Sequence, residues 1–352
     1  MAQILAVRSA FPDHRYPQSE LTRKAADLAR LRPARRALLE RLHGNAGVDT
    51  RYTALPLPEY DALDGVGPAN DRYIEEATAL GERALRAALD EAGLAASDID
   101  LLVVTSVTGV AVPSLDARLI PRLGLRPDVK RLPVFGLGCV AGAAALSRVH
   151  DYLRGWPGHT AALLSVELCS LTFRAAATTT ADLVVSGLFG DGAAALIATG
   201  EESGSPRDGT AEVLATRGEV YPDSGDSLGW RLGSDGFRIV LTADLADVVE
   251  RRLAGTVTSF LAARGLTIGD ISTWIAHPGG PRVLDAVRDS LKLPESALAL
   301  SRRSLAEAGN LSSASVLHVL ELARRAGQRA GSLGLMVGLG PGVSAELVLL
   351  RW

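Results

Sequence analysis

The sequence predicts an α/β protein built from two similar halves, and three observations support this prediction. Apolar runs typical of strands alternate with helical patterns along the chain, as they do in α/β folds. A stretch with Gly-Leu, then Asp-Ile, then an apolar strand occurs at 93–105 and again at 265–277. Each copy follows an amphipathic helix, and the offset of 172 residues, from 93 to 265, is about half of the 352-residue chain. We therefore divide the chain at its Gly-, Ser- and Glu-rich seam into halves 1–205 and 206–352.

The elements follow from local patterns, in chain order. The first strand is expected at 2–8, one arginine-rich helical pattern at about 18–42, a proline-rich loop at 55–70 and a helix at about 75–92. Buried strands are expected at 101–105, 161–166, 193–198 and 345–350, the last one after the Gly-Leu-Gly-Pro-Gly loop at 338–342. The arginines of the first helix indicate either a solvated face or a cationic rim for a phosphorylated ligand.

Composition excludes several classes of function. The formal net charge is −3, which does not favour a nucleic-acid partner. The two cysteines form neither a disulfide framework nor a metal motif, so we expect no metal and no bound cofactor. No apolar run reaches membrane-spanning length. We expect a cytoplasmic protein that does not associate with membranes.

Cys139 is the first candidate for catalysis. It follows an apolar run and a Gly-x-Gly turn and precedes the small-residue run Ala141–Leu146, which predicts a thiol at the start of a buried helix. Backbone N–H groups and the helix dipole at such a position favour a thiolate. A buried structural cysteine is the alternative, and the stretch alone does not decide between them.

Two further candidates lie in the second half. His277 stands at a strand end before Pro-Gly-Gly-Pro, and Asn310 stands before Leu-Ser-Ser-Ala-Ser. Each has an ordinary alternative, since His277 could be a loop histidine and Asn310 a helix N-cap. The repeat favours the catalytic interpretation over these alternatives, because it relates His277 to Thr105 and Asn310 to position 138, next to Cys139. A Cys/His/Asn set can accept an acyl group on sulfur and donate two hydrogen bonds to an oxyanion. In papain-type proteases Asn orients His, whereas here both can face an enolate formed by decarboxylation.

These residues resemble a known family. Gly-x-Gly-Cys, His-Pro-Gly-Gly-Pro and Gly-Asn-x-Ser-Ser-Ala-Ser are similar to motifs of the type III polyketide synthases, the chalcone and stilbene synthase superfamily. The Leu188–Ala193 motif and the loop at 338–342 add to the resemblance, which covers nearly the whole chain. It implies the thiolase fold, a five-layered αβαβα arrangement of two pseudo-repeated halves, and a homodimer. The chain looks more like bacterial members than plant members, and many of the bacterial members use fatty acyl starters.

The resemblance also implies roles for individual residues. Cys139 would be the acyl acceptor and would form an ion pair with His277, while His277 and Asn310 would stabilise the malonyl enolate. Phe189 matches a gatekeeper between the coenzyme A tunnel and the cavity. Phe237 is the candidate for a second gatekeeper, with Ile239 as the alternative. The remaining substrate-binding candidates line the cavity or tunnel or bind a phosphate of coenzyme A: Thr172, Ser312, Trp230, Arg41, Gly280 and Pro341. Trp230 would block one lobe of the cavity, or else lies in a surface loop.

The expected activity is iterative decarboxylative Claisen condensation of malonyl-CoA onto an acyl-CoA starter held on Cys139, followed by cyclisation to a pyrone, resorcinol or related polyketide. A ketoacyl synthase III-like enzyme that performs one condensation with acyl carrier protein is the alternative. A catalytically silent scaffold on the same fold is a third hypothesis.

Overall fold

The computed structural model describes residues 1–63, 65–172, 179–203, 210–225, 227–233, 236–242 and 245–352. The strands are β1 (Ala2–Ala10), β2 (His14–Pro17), β3 (Thr50–Thr53), β4 (Leu101–Thr105), β5 (Lys130–Val134), β6 (Thr160–Leu168), β7 (Asp191–Thr199), β8 (Ala211–Val220), β9 (Leu228–Gly233), β10 (Gly236–Leu241), β11 (Ile271–Ala276), β12 (Leu333–Gly340) and β13 (Ser344–Arg351). The helices are α1 (Gln18–Leu28), α2 (Pro33–Gly44), α3 (Val66–Ala92), α4 (Leu115–Leu123), α5 (Ala141–Gly155), α6 (Thr180–Leu188), α7 (Leu245–Ala262), α8 (Pro281–Leu291), α9 (Ala299–Ala308) and α10 (Ser313–Arg325).

The strand order of the largest sheet shows the repeat directly. The order is β11-β12-β13-β8-β1-β7-β6-β4-β5, and β1 and β8 pair antiparallel through Ala2–Ile4 and 211–213. We count only the strands of this sheet. Moving outward from the junction, each half contributes its first strand, then its last, then its next-to-last and then its second. The first half adds β5 as an edge strand. The halves therefore share one topology and meet along their first strands.

Apolar side chains divide the molecule into five layers. Strand residues alternate between the two faces of the sheet: Leu101 and Val103 of β4 pack with α5 and α10, whereas Leu102 and Val104 pack with α3 and α4. In the second half, the outer face of β11 to β13 packs on α7 and α8. The sequence of layers is thus outer helices, first-half strands, central helices α5 and α10, second-half strands and outer helices.

The offset of 172 residues also relates the central helices, since α5 begins at Ala141 and α10 at Ser313. A Cβ atom added to Gly142 would lie 2.2 Å from the carbonyl oxygen of Ser313, so the two helices touch backbone to backbone where they begin. This contact explains the run of small residues after Cys139.

Two predictions of local structure were wrong. The single helical pattern at 18–42 is two helices, because Arg30 has a φ of 47° and Pro33 begins α2. The predicted loop at 55–70 instead contains a 3₁₀ turn, Leu57–Ala62, and the first turn of α3, which starts at Val66. Among the described residues no helix combines the length and the apolar character needed to cross a membrane.

Candidate active site

Cys139 lies in a short 3₁₀ turn, Gly138–Val140, that leads directly into α5. Gly138 has a φ of 57°, and a Cβ atom there would lie 2.5 Å from Cγ of Pro341, so glycine is required on both counts. The terminal Gly-Pro-Gly loop therefore packs on the nucleophile turn. The thiol of Cys139 lies 3.6 Å from the hydroxyl oxygen of Ser312, within hydrogen-bonding distance for sulfur.

His277 directly follows β11 and is held by its backbone. Its N–H donates to the carbonyl of Val337 on the neighbouring strand at 2.9 Å, and its own carbonyl accepts from Gly279 at 2.9 Å. The ring is buried, and Nδ1 has no hydrogen-bond partner among the described residues. Burial lowers the pKa of His277 to about 4, so the imidazole is neutral near pH 7.

Asn310 is fixed at both its backbone and its side chain. Its N–H donates to the carbonyl of Leu188 at 2.8 Å, and its carbonyl accepts from Gly190 at 3.0 Å, so it forms a parallel bridge with Phe189. Its Oδ1 accepts from the N–H of Ser312 at 2.8 Å and the hydroxyl of Ser315 at 3.2 Å. The N-cap of α10 is Ser312 rather than Asn310, and these contacts orient the Asn310 amide so that its NH₂ group is the end left to donate.

The electrostatics of Cys139 differ from the expectation of a preformed thiolate. Burial raises the pKa of the thiol to about 12, while hydrogen bonds with Ser312 and Asn310 act in the opposite direction. Because the pKa of His277 is lowered, the thiol and the imidazole that line this space are both neutral, whereas the resemblance implied an ion pair.

Two small adjacent cavities meet at Cys139. Cys139, Phe189, Leu228 and Ile239 contribute to the walls of both. The smaller cavity is completed by Thr108, Gly138, Cys169, Gly229, Trp230, Ser312 and Pro341. The larger is completed by Leu188, Leu241, Leu245, Val249, His277, Gly279, Val283, Asn310, Leu339, Gly340 and Val343. The three catalytic candidates therefore line one connected, mostly apolar space.

The structure separates the other predicted residues into two groups. Trp230, Ser312 and Pro341 lie in the wall of the smaller cavity, and Trp230 is half-buried in β9 rather than in a surface loop. Thr172, Gly280 and Arg41 are not among the residues that line these two cavities, and their roles stay predictions: Thr172 donates to the carbonyl of Cys169, Gly280 precedes α8, and Arg41 is exposed in the last turn of α2.

The structure describes the side chain of only one of the two candidates for the second gatekeeper. Phe237 is in β10, opposite Leu232, but its side chain lies outside the described residues. Ile239, the alternative, lines both cavities and pairs with Trp230 across β9 and β10.

Sequence reasoning missed two residues at this centre. Glu167 is fully buried and accepts from the N–H of Val107 at 3.0 Å, from Thr108 at 3.0 Å and from Ser313 at 2.5 Å. Burial raises its pKa. Cys169 lines the smaller cavity. A carboxylate inside the apolar run of β6 was the available signal for Glu167. No group of three or more potential metal ligands occurs in the described part of the chain.

Comparisons with known proteins agree with this architecture. Models of the N-terminal and C-terminal domains of chalcone and stilbene synthases match residues 1–202 and 212–352. A 1,3,6,8-tetrahydroxynaphthalene synthase of Streptomyces peucetius subsp. caesius is 57% identical over 350 residues, which are 99% of this chain and 93% of that protein. A phloroglucinol synthase of Pseudomonas fluorescens is 31% identical over 349 residues, 97% of each chain. The crystal structure of a tetrahydroxynaphthalene synthase from Streptomyces coelicolor A3(2) has a TM-score of 0.91 at 31% identity, covering 99% of both chains. The predicted thiolase-like fold is thereby confirmed.

Proposed function

The chain belongs to the chalcone and stilbene synthase family, the type III polyketide synthases, and from this premise we propose that it condenses malonyl-CoA units into a tetrahydroxynaphthalene. The observation that carries the proposal is the cavity wall in which Cys139, His277 and Asn310 surround one space. A thiol, an imidazole and a carboxamide are the groups needed to accept an acyl chain and to stabilise an enolate without a metal or an organic cofactor.

Loading begins at Cys139. Its sulfur attacks the thioester carbonyl of a starter, the Sγ proton passes to the neutral ring of His277, and the imidazolium then donates to the developing oxyanion. Collapse of the tetrahedral intermediate forms the Cys139 thioester and expels the thiolate of coenzyme A, which takes the proton from His277. His277 is neutral near pH 7, so its ring is able to accept the proton.

Extension uses two donors, His277 and Asn310. A second malonyl-CoA places its thioester oxygen between His277 and Asn310, and loss of CO₂ leaves the electron pair as an enolate at this oxygen. The enolate carbon attacks the acyl-Cys139 carbonyl and releases the sulfur, so that the chain, longer by two carbons, is carried by coenzyme A until it returns to Cys139. Phe189, in the wall of both cavities, is the proposed gate between the coenzyme A side and the chain side.

The proposed starter is also malonyl-CoA. Tetrahydroxynaphthalene has ten ring carbons, and oxygen at alternate positions of a folded chain corresponds to five two-carbon units with no foreign starter. The small, apolar cavity beside Trp230 supports a short starter more than the fatty acyl starter that the sequence suggested. Phloroglucinol, named for the Pseudomonas relative, corresponds to three units and is the second candidate product.

Incubation with uniformly ¹³C-labelled malonyl-CoA alone tests the proposal. We expect a fully labelled tetrahydroxynaphthalene by mass spectrometry and none with Cys139→Ala. A labelled phloroglucinol would favour the second product. A product that requires an added acyl-CoA would refute the malonyl starter, and a product extended only once, from acyl carrier protein, would favour the ketoacyl synthase III-like alternative.

We further propose that the enzyme works as a homodimer through the edge of its sheet. Apolar side chains are exposed along edge strand β5 and in the loops that follow β4 and β5, with Val112 89% and Phe135 58% exposed. Such a patch on an open strand edge favours a protein contact. Phe135→Glu is expected to give monomers by size-exclusion chromatography with light scattering, whereas the control Val220→Glu, at another exposed site, should stay dimeric. A dimeric Phe135→Glu protein would reject this interface.

The exposed Arg41 is proposed to bind a phosphate of coenzyme A outside the cavities. Arg41 is exposed and does not line either cavity, so its proposed role is binding alone, and Arg41→Ala should raise KM for malonyl-CoA and leave kcat unchanged. An unchanged KM would remove Arg41 from the site.

A further inference from the structure

Arg51 is a buried cation immediately behind the pocket wall. It lies in β3 with only 2% of its surface exposed. Its Nη1 donates to the carbonyl oxygen of Phe189 at 2.7 Å, and its Nε donates to Oε1 of Gln18 at 2.9 Å. Gln18 in turn donates to the carbonyl of Gly187 at 2.7 Å. Arg51 is thus joined, directly and through Gln18, to the chain segment that carries Phe189.

The same side chain contacts the segment that carries Asn310. A Cβ atom added to Gly309 would lie 2.9 Å from Cδ and 3.0 Å from Cγ of Arg51, so the stem of the arginine rests on the residue before Asn310. The two segments also bond to each other, through the Asn310 N–H to Leu188 and the Gly190 N–H to Asn310. Arg51 therefore lies across the junction of the two segments that present Phe189 and Asn310 to the cavity.

A buried carboxylate completes this layer. Asp191, at the start of β7, accepts from the N–H of Ala54 at 2.6 Å and the N–H of Ser170 at 2.8 Å. Ser170 follows Cys169, a third lining residue. The charge of Asp191 helps keep Arg51 protonated against the burial that lowers its pKa to about 10.

The hydrogen-bond partners of the Arg51 guanidinium distinguish a positioning role from a purely stabilising one. Burying a cation is costly, and an arginine kept for stability is ordinarily satisfied by a close ion pair. No carboxylate lies within 4 Å of Arg51 in the described part of the chain. Its donors instead reach a backbone carbonyl in the cavity wall and the side chain of Gln18, an arrangement that fixes a backbone position at the site.

We propose that Arg51 is a positioning residue, which holds the Phe189 peptide and the adjoining Asn310 so that the Asn310 amide faces the malonyl thioester oxygen. The inference rests on the proposed malonyl-CoA decarboxylation. Arg51 does not touch the reacting atoms. It acts through Asn310, and a shift of about 1 Å in such a donor costs on the order of 10²-fold in rate.

Malonyl-CoA decarboxylation by Arg51→Met measures this role. We expect kcat to fall about 10- to 100-fold with little change in KM, because the amide is displaced rather than removed. The matched control is Arg324→Met, since Arg324 is also largely buried and donates to two backbone carbonyls, those of Ile4 and Leu5, both at 2.8 Å. This control should lose thermal stability to a similar degree but keep its kcat.

A double-mutant cycle separates positioning from general support. In an Asn310→Ala background, Arg51→Met should cause little further loss of kcat, because the group that it positions is gone. A full additional loss in that background, or an effect of Arg51→Met no larger than that of Arg324→Met, would overturn the proposal. If Arg51→Met does not fold, Arg51→Lys carries the same test, since it keeps the charge but lacks the planar fork. Failure of the wild-type protein to decarboxylate malonyl-CoA would instead refute the proposed function, and this inference with it.

Discussion

Gly142→Ala tests how closely the catalytic centre depends on the contact between the central helices. A Cβ atom at Gly142 would lie 2.2 Å from the carbonyl oxygen of Ser313, 3.1 Å from Cγ1 of Val316 and 3.3 Å from the carbonyl carbon of Ser313. The closest atom belongs to the backbone, so no side-chain rotation relieves the clash. Helices α5 and α10 must separate by about 1 Å to restore an ordinary contact distance.

The expected change in the free energy of unfolding of Gly142→Ala follows from two opposing effects. Overpacking of this kind costs about 3 kcal/mol, whereas replacing a helical glycine with alanine gains about 1 kcal/mol. We expect the free energy of unfolding of Gly142→Ala to fall by about 2 kcal/mol. Because Cys139 precedes α5 and Asn310 precedes α10, the same shift separates nucleophile from donor, and acyl transfer should slow on the order of 10²-fold.

Denaturant unfolding and single-turnover acylation of Cys139 measure the two effects. The matched control is Gly255→Ala in α7, where an added Cβ atom has no neighbour within 4 Å, so the control should gain about 1 kcal/mol and keep its rate. The two variants should thus differ by about 3 kcal/mol. A Gly142→Ala protein as stable as Gly255→Ala and as fast as wild type would refute the close contact and the argument built on it.

Three further predictions concern single groups. Asn310→Ala should lower malonyl-CoA decarboxylation by about 10²- to 10³-fold through loss of an oxyanion donor, measured as CO₂ release, and an unchanged rate would reject that role. Ser312→Ala should raise the pKa of Cys139 further, because a hydrogen bond that lowers it is lost, so iodoacetamide should alkylate Cys139 more slowly than in wild type at the same pH; equal rates would show that this contact has no effect. Burial lowers the pKa of His43 in the folded state from 6.5 to about 4, so its contribution to stability is complete above pH 6.5 and is lost as the pH falls towards 4. Urea unfolding across this range should show wild type losing about 3 kcal/mol relative to His43→Gln, and parallel curves would contradict the assignment.

The repeat explains why so much of the fold could be predicted from sequence. Strand β4 was predicted to the residue, and the offset of 172 that predicted two halves also relates the starts of α5 and α10. These elements are buried, so β4 is a continuous apolar run of strand length and α5 and α10 begin with small residues. The elements that were predicted wrongly, α1, α2 and the start of α3, lie at the surface, where a positive φ at Arg30 and local turns override the pattern.

The catalytic set could be proposed from sequence because each member sits beside a recognisable turn. The pocket wall could be proposed only in part, with Phe189, Trp230, Ser312 and Pro341 among its residues. Whether a side chain faces the cavity depends on pairing across β9 and β10, and a shift of one residue reverses the face. This is why Phe237 and Ile239 could not be separated, while the register places Ile239 opposite Trp230. Arg51 was not predicted from the sequence because its proposed role depends on contacts with Phe189 and Gly309. These residues are distant from it in the chain, so no local motif indicates the contacts.

The two halves share a topology but carry different side chains at equivalent positions. This difference explains how the site is formed. Strands β4 and β11 end at equivalent places, where the first half has Thr105 and the second has His277. The Thr105 hydroxyl bonds to Ser165 at 2.8 Å and to Ser313 at 3.2 Å, so it joins the first half to the start of α10. Thr105 is fully buried, so a ring at this position would press on Ser313 at the start of α10. We therefore expect Thr105→His to disrupt the helix contact in the same way as Gly142→Ala, with loss of both stability and acylation, whereas Thr105→Ser should keep both.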